Sequence, residues 1–256
     1  MELFKIFGTI ALKGKDQFNG DIDESSSKAE KLSGKIGKGL ATAAKLGAAA
    51  IGAAATAVGA LTKKSLEEYA EYEQLVGGVE TLFKDSADVV KQYANNAYKT
   101  AGLSANDYME TVTSFSAALL QSLGGDTEAA AKQADLAITD MADNANKMGT
   151  AMGDIQNAYQ GFAKQNYTML DNLKLGYGGT KEEMQRLIDD ANALNAAQGN
   201  LTNYSIDSYA DIVSAIHDVQ TEMGITGTTA KEASTTIQGS LSAMKSAWTN
   251  LLTGIG

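Results

Sequence analysis

Proline is absent from all 256 residues. At ordinary usage a chain of this length carries about a dozen. Proline lacks a backbone N–H, and its ring clashes with the carbonyl one turn back, so it breaks helix interiors. A chain without it can run long, uninterrupted helices. Hydrophobic residues make up 44% of the chain but aromatics only 7%. A core must then be built from Ala, Leu, Val and Met rather than from rings. Cysteine is also absent, which excludes disulfides, thiolate catalysis and cysteine-based metal sites. We expect an all-α, multi-helix bundle, in one large domain or two small ones.

Charge is unevenly spread. Ten lysines against six acids give residues 1–64 a charge of +4, so with −10 overall the remainder carries −14. An acidic body opposes nucleic-acid binding, where phosphate contacts dominate affinity. The basic front can meet a membrane surface or an acidic partner, or serve simply as a solvated helix face. The start, "MELFKIFGTIALKGK", lacks a basic n-region and a cleavage site, so no secretory signal is expected.

Within that front, "LFKIFGTIAL" (Leu3–Leu12) is β-branched and aromatic and reads as one short strand. Asp23 can cap the helix that follows. Lys28, Lys31, Lys35 and Lys38 recur at helical spacing. Leu46 to Thr62 is a run of 17 residues without charge. That is the lower limit for spanning a bilayer. Ala and Gly dominate it, however, and small residues favour close helix approach over insertion. The candidate face is Gly47, Ile51, Gly52, Val58, Gly59 and Leu61. The expectation is a long Ala/Gly-rich helix, buried or self-associating, with membrane entry on a trigger as the alternative and a permanent span last.

After Lys64 the pattern is amphipathic helix. Leu66, Tyr69, Leu75, Val76, Val79 and Phe83 give one stripe. A helix from Asp85 or Ser86 stops at Gly102. Ser104, with Asp107 three residues on, opens the next, which Gly124 and Gly125 end. Asp126 caps an Ala-rich helix that Gly149 closes. Another covers about Ala151 to Gln165, then a short turn and loop reach Gly179. Thr180 and Glu183 form a capping box for a helix ending at Gly199. Two helices finish the chain. Tyr209, Ile212, Ile216, Val219 and Met223 line one. Ile237, Leu241, Met244, Trp248 and Leu251 line the other. Both step by threes and fours, a bundle or coiled-coil seam. Residues 1–64 thus read as strand plus basic small-residue helix, 65–200 as a helical core, and 201–256 as heptad helices leading into a further C-terminal part.

Few residues carry chemistry. "GYGGTK" imitates a phosphate loop, but its glycine spacing and Thr-Lys order are wrong and no strand precedes it. Glu182 and Glu183 would also repel a phosphate there. We read Gly176, Gly178 and Gly179 as an interhelix hinge and Thr180 with Glu183 as a helix cap. His217 is the sole histidine. It lies beside the apolar stripe without a nucleophile signature and reads as a half-exposed helix residue. The pairs Asp140/Asp143 and Asp189/Asp190 read as solvated faces. Trp248 reads as core. "DIDE" (21–24) lacks the glycine pattern of a calcium loop. No catalytic residue, metal site or cofactor is expected, and no enzyme.

Three segments carry a family resemblance: "LFKIFGTIALKGKDQFNGDIDESSSKAEKLSG", "YEQLVGGVETLFKDSADVVKQYANNAYKTAGLSANDYMETV" and "MADNANKMGTAMGDIQNAYQGFAKQNYTMLDNLKLGYGGTKEEMQRLIDDA". With them the stretch from about Tyr69 to Ala191 resembles the core region of phage tail tape measure proteins. "NYTMLDNLKLGYGGTKEEMQRLI" is the most specific part. The resemblance implies a structural virion protein. Such proteins fill the growing tail tube in several copies, set its length, recruit the tail tip and leave before DNA passes. It further implies assembly in the host cytoplasm, with tail tube, tail tip or baseplate proteins and a tail assembly chaperone as partners. The host membrane is a further candidate partner, and no sequence-specific nucleic-acid binding is expected. As one helix, 256 residues would reach at most roughly 380 Å, short for a long tail, so the expectation is an N-terminal portion, or a truncated frame, of such a protein. The alternative is a membrane-active, pore-forming or translocated helical protein built on residues 46–62. A plain helical adaptor comes third.

Overall fold

In the computed structural model, backbone is described for residues 48–235 and 237–255, and side chains for 63–233 and 245–254. All regular structure in that range is helical, as expected. The helices are α1 (Ala48–Phe83), α2 (Ala87–Thr100), α3 (Ala105–Ser122), α4 (Thr127–Met148), α5 (Met152–Phe162), α6 (Lys181–Ala197), α7 (Tyr209–Glu222), α8 (Thr228–Thr235) and α9 (Ile237–Ile255). Short 3₁₀ turns fall at Lys84–Ser86 and Leu170–Leu173. The strand expected at Leu3–Leu12, the basic stretch and Gly47 lie outside the described residues. Ile51, Gly52, Val58, Gly59 and Leu61 fall within α1. Among the described residues, no helix is long and apolar enough to cross a membrane.

The chain divides into two compact units. Of the described residues, 48–67 and Ile255 fall in one and Glu68–Gly254 in the other.

Local chemistry sets the helix ends of that unit. Ser104 Oγ accepts from the Asp107 N–H at 3.1 Å, and the Asp107 carboxylate accepts from the Ser104 N–H at 3.3 Å. The Ser104 cap expected for α3 is thus part of a reciprocal box with Asp107, which satisfies donors a helix start leaves orphaned. Asp126 Oδ1 caps α4 by accepting from Glu128 and Ala129 N–H. Gly149 closes α4 with φ +68, a left-handed position where a side chain would be strained. Ser86 does not cap α2. Its hydroxyl instead hydrogen-bonds the Thr127 hydroxyl at 2.9 Å, joining the starts of α2 and α4. α5 stops at Phe162, short of the expected Gln165, because the Gly161 carbonyl accepts from Asn166 N–H at 2.9 Å and turns the chain.

α4 is the hub. It packs against α2, α3, α5, α7 and α8. Ala130, Ala131, Ala134 and Ala137 are fully buried along it, and such small side chains let several helices come close. The bulk of the core comes from Phe83, Tyr108, Met109, Leu119, Ile138, Tyr159 and Phe162, all buried. Each such side chain contributes about 1.5–3 kcal/mol over its exposed state. The amphipathic stripe of α1 is only half realised, since Val79 and Phe83 are buried while Leu66 and Tyr69 are exposed.

Candidate functional site

Asp140, Asp143 and Asn144 sit on one face of α4 at spacings of three and four, which a helix brings into a row. All three have zero exposure. The solvated face expected for Asp140 and Asp143 is therefore incorrect, whereas Asp189 and Asp190 are exposed as expected. A buried carboxylate is costly unless it is paired or hydrogen-bonded, and each of these has a partner from another element. His217 Nδ1 on α7 lies 2.9 and 3.0 Å from the two Asp140 carboxylate oxygens. Asp143 accepts from the Gly227 N–H at 2.6 Å and the Thr229 N–H at 2.8 Å. It thus caps the start of α8 from a different helix. The Asn144 carboxamide donates to the Leu173 carbonyl at 2.9 Å and fastens the 3₁₀ turn.

Burial raises the Asp140 pKa to about 6, against the opposing pull of the His217 hydrogen bond. The same hydrogen bond raises the His217 pKa above its ordinary value, against the lowering effect of partial burial. Beside the pair lies a second polar layer. The Gln220 carboxamide and the Tyr159 hydroxyl are both buried, and burial strongly raises the tyrosine pKa. The Tyr209 hydroxyl donates to the Tyr159 carbonyl at 3.1 Å. The whole cluster can hold and exchange a proton between imidazole and carboxylate. Among the described residues, no hydroxyl or thiol nucleophile is hydrogen-bonded to the imidazole, and no group of three His, Cys, Asp or Glu is arranged to hold a metal ion.

The glycine-rich loop is a separate construction. Gly176 has φ +87, while a Cβ on Gly179 would lie 2.3 Å from the Thr168 carbonyl oxygen. One glycine is needed for its backbone angle and the other for close approach. Thr180 Oγ1 accepts from Glu183 N–H at 3.2 Å. The Glu183 carboxylate does not complete the expected capping box, since it accepts from Gly178 N–H at 3.0 Å instead. The Arg186 guanidinium lies 4.2 Å over the Tyr177 ring and donates to the Gly176 carbonyl at 2.8 Å. The Tyr177 hydroxyl donates to Asp190 at 2.8 Å. Burial, with that bond to a carboxylate, raises the Tyr177 pKa to about 12. The expected hinge is thus a turn fastened onto α6 by its own side chains.

The last expected feature is the α9 seam. Ile237, Leu241 and Met244 are helical, but their side chains lie outside the described residues. Trp248, expected in the core, is half-exposed, and so is Leu251. The buried face is one notch round. Asn250 Oδ1 accepts from the Ala105 N–H at 2.7 Å, the Ser246 hydroxyl donates to the Gly102 carbonyl at 2.7 Å, and Leu252 is buried. The end of α2 and the start of α3 leave unpaired backbone groups, and α9 satisfies two with polar side chains.

Sequence reading missed the Asp140–His217 cluster. The available signal was faint, because Asp140 and Asn144 merely continue the row of small and apolar residues that includes Ala130, Ala137 and Met141. No protein-family model, curated protein or solved structure matches the chain.

Proposed function

We propose that this chain is a structural protein of a phage tail, part of a tape measure protein. It sets tail length, scaffolds assembly of the tail tube and is ejected during DNA delivery. The observation that carries this reading is a coincidence of segments. The residues bearing the resemblance, about Tyr69 to Ala191, are those that build α2 through α6 and most of α1's buried end. The most specific run, Asn166–Ile188, spends its unusual residues on packing: Gly179 against Thr168, Tyr177 and Arg186 on α6. That is scaffold chemistry, consistent with a role filled by shape rather than by reaction.

On this reading the partners are further copies of the chain, tail tube and tail tip or baseplate proteins, and a tail assembly chaperone. The protein resides in the virion after assembly in the host cytoplasm. Contact with the host membrane belongs to the alternative, a membrane-active helix within residues 46–62, and no enzymatic activity is proposed.

The test is tail length by electron microscopy. An in-frame insertion of about 28 helical residues, four heptads, into the gene outside Glu68–Gly254 should lengthen tails by about 42 Å, at 1.5 Å per residue. Tails of unchanged length would overturn the reading. Leakage from liposomes treated with a peptide of residues 40–64 would then favour the membrane-active alternative.

A further inference from the structure

We propose that the Asp140–His217 pair links folding of the larger unit to proton uptake, so that the fold gains stability as pH falls from about 8 to about 6. This goes beyond the tape measure reading and does not depend on it. Asp140 lies on α4 without exposure, and its two carboxylate oxygens sit 2.9 and 3.0 Å from Nδ1 of His217 on α7. That imidazole is the only one in the chain. Its side chain is 28% exposed, so a proton can enter or leave from solvent without opening the core. With the proton on, an imidazolium neutralises the buried carboxylate. With the proton off, Asp140 keeps at most a neutral donor and has lost its counter-ion, a strongly unfavourable state for a buried charge.

The surroundings add negative charge. Asp143 acts on the pair from α4 and Asp218 from α7. The Tyr159 hydroxyl of α5 lies within reach of Asp140. From α6, Asn195 donates to Asp218 at 2.5 Å, while Arg186 is paired with Glu183. α8 packs on α4 and carries Lys231 and Glu232, adjacent and opposite in charge, each with interactions of its own. From α2 and α3 come Tyr93 and Tyr108, which act about Lys132 and Asp135. α7 is also held to α4 by Gln133, which donates to the Ala210 carbonyl at 3.2 Å and to the Ser214 hydroxyl at 2.9 Å. Those bonds do not titrate, and proton linkage is indifferent to them. It counts protons bound in the folded and unfolded states, not contacts.

Both titrating groups give the same sign. The Asp140 hydrogen bond raises the His217 pKa above its ordinary 6.5, against partial burial. Its stabilising effect is therefore complete below about 6.5 and is lost as pH rises through the raised value. Burial raises Asp140 from 3.8 to about 6, so the folded state holds that proton where the unfolded chain has released it. Stability from this group also grows as pH falls, from about 6 towards 3.8. Ordinary carboxylates titrate at about 4, tyrosines and lysines at about 10, and the chain has no cysteine. Where the folded state binds one proton more than the unfolded state, the ratio of folded to unfolded changes about tenfold per pH unit.

The experiment uses the full chain, whose single histidine makes the imidazole signal unambiguous. NMR follows the His217 ring protons from pH 5 to 9. Urea denaturation read by circular dichroism gives the folded-to-unfolded ratio over the same range. The expected result is an imidazole midpoint above 6.5 and a ratio that falls as pH rises from 6 to 8, by up to about tenfold per unit. Asp140→Asn removes the carboxylate but keeps its shape and an acceptor for Nδ1. It should lower the His217 midpoint and flatten the fall in stability. The α-amino group, which titrates at about 8, and Asp135, also raised by burial, stay in place in this variant, so the slope it loses belongs to the pair. A wild-type midpoint at or below 6.5 overturns the proposal, as does a stability that is flat or rises from pH 6 to 8. An Asp140→Asn chain that keeps the wild-type slope overturns it too. If that variant does not fold, the wild-type midpoint and slope decide alone.

Discussion

At Gly179 a methyl group would come within 2.3 Å of the Thr168 carbonyl oxygen, and the obstacle is backbone that cannot swing aside. At Gly176 a methyl group meets nothing, but φ is +87. These two glycines sit three residues apart and are needed for different reasons. Gly176→Ala should destabilise by about 1 kcal/mol from the left-handed strain alone. Gly179→Ala should cost more, about 1–3 kcal/mol or above, because a packed wall must shift. Urea denaturation of both variants measures the difference. Equal losses, or a milder Gly179→Ala, would mean that the loop is looser than its contacts imply. The sequence pointed to the "GYGGTK" glycines as structural, but not to which did what, since φ and close approach are both set by where the chain returns.

The helices show how far local chemistry reaches. The starts of α3 and α4 were legible because their caps are built from neighbours: Ser104 with Asp107, and Asp126 with the two N–H groups just after it. Ser104→Ala and Asp126→Ala should each cost about 1 kcal/mol. Hydrogen exchange should show that loss as reduced protection confined to the first turn of α3 or α4. Loss spread evenly over both helices would argue that the caps are incidental to helix stability. Ser86 looked like the same device in sequence, yet its hydroxyl spends its bond on Thr127, 41 residues away. The stripe on α9 misled for a related reason. A period of three and four defines a helix and an apolar face, but Ser246 and Asn250 face the backbone groups of Gly102 and Ala105, and this turns Trp248 and Leu251 outward.

Over the whole molecule, the larger unit reaches from Glu68 to Gly254, with α4 at its hub and α9 bonded to the turn before α3. A fragment of residues 68–254 should therefore fold alone and unfold in one cooperative transition, as single domains of this size often do. Circular dichroism and tryptophan fluorescence followed through the same denaturant series check this. Separated midpoints would show that α9, which carries Trp248, is not part of the cooperative unit.

What the sequence by itself determined is the helical class and most helix limits. Missing proline, capping residues and terminal glycines act over three or four positions, the range over which a helix is decided. Only the tertiary structure decided which faces meet. On an Ala-rich helix such as α4 the contrast between apolar and polar faces is weak, so position alone could not tell whether Asp140 and Asp143 faced water. Their burial is tolerable because His217, 77 residues away, and the N–H groups of Gly227 and Thr229, 84 and 86 away, arrive to meet them. That compensation exists only once the chain has folded back on itself.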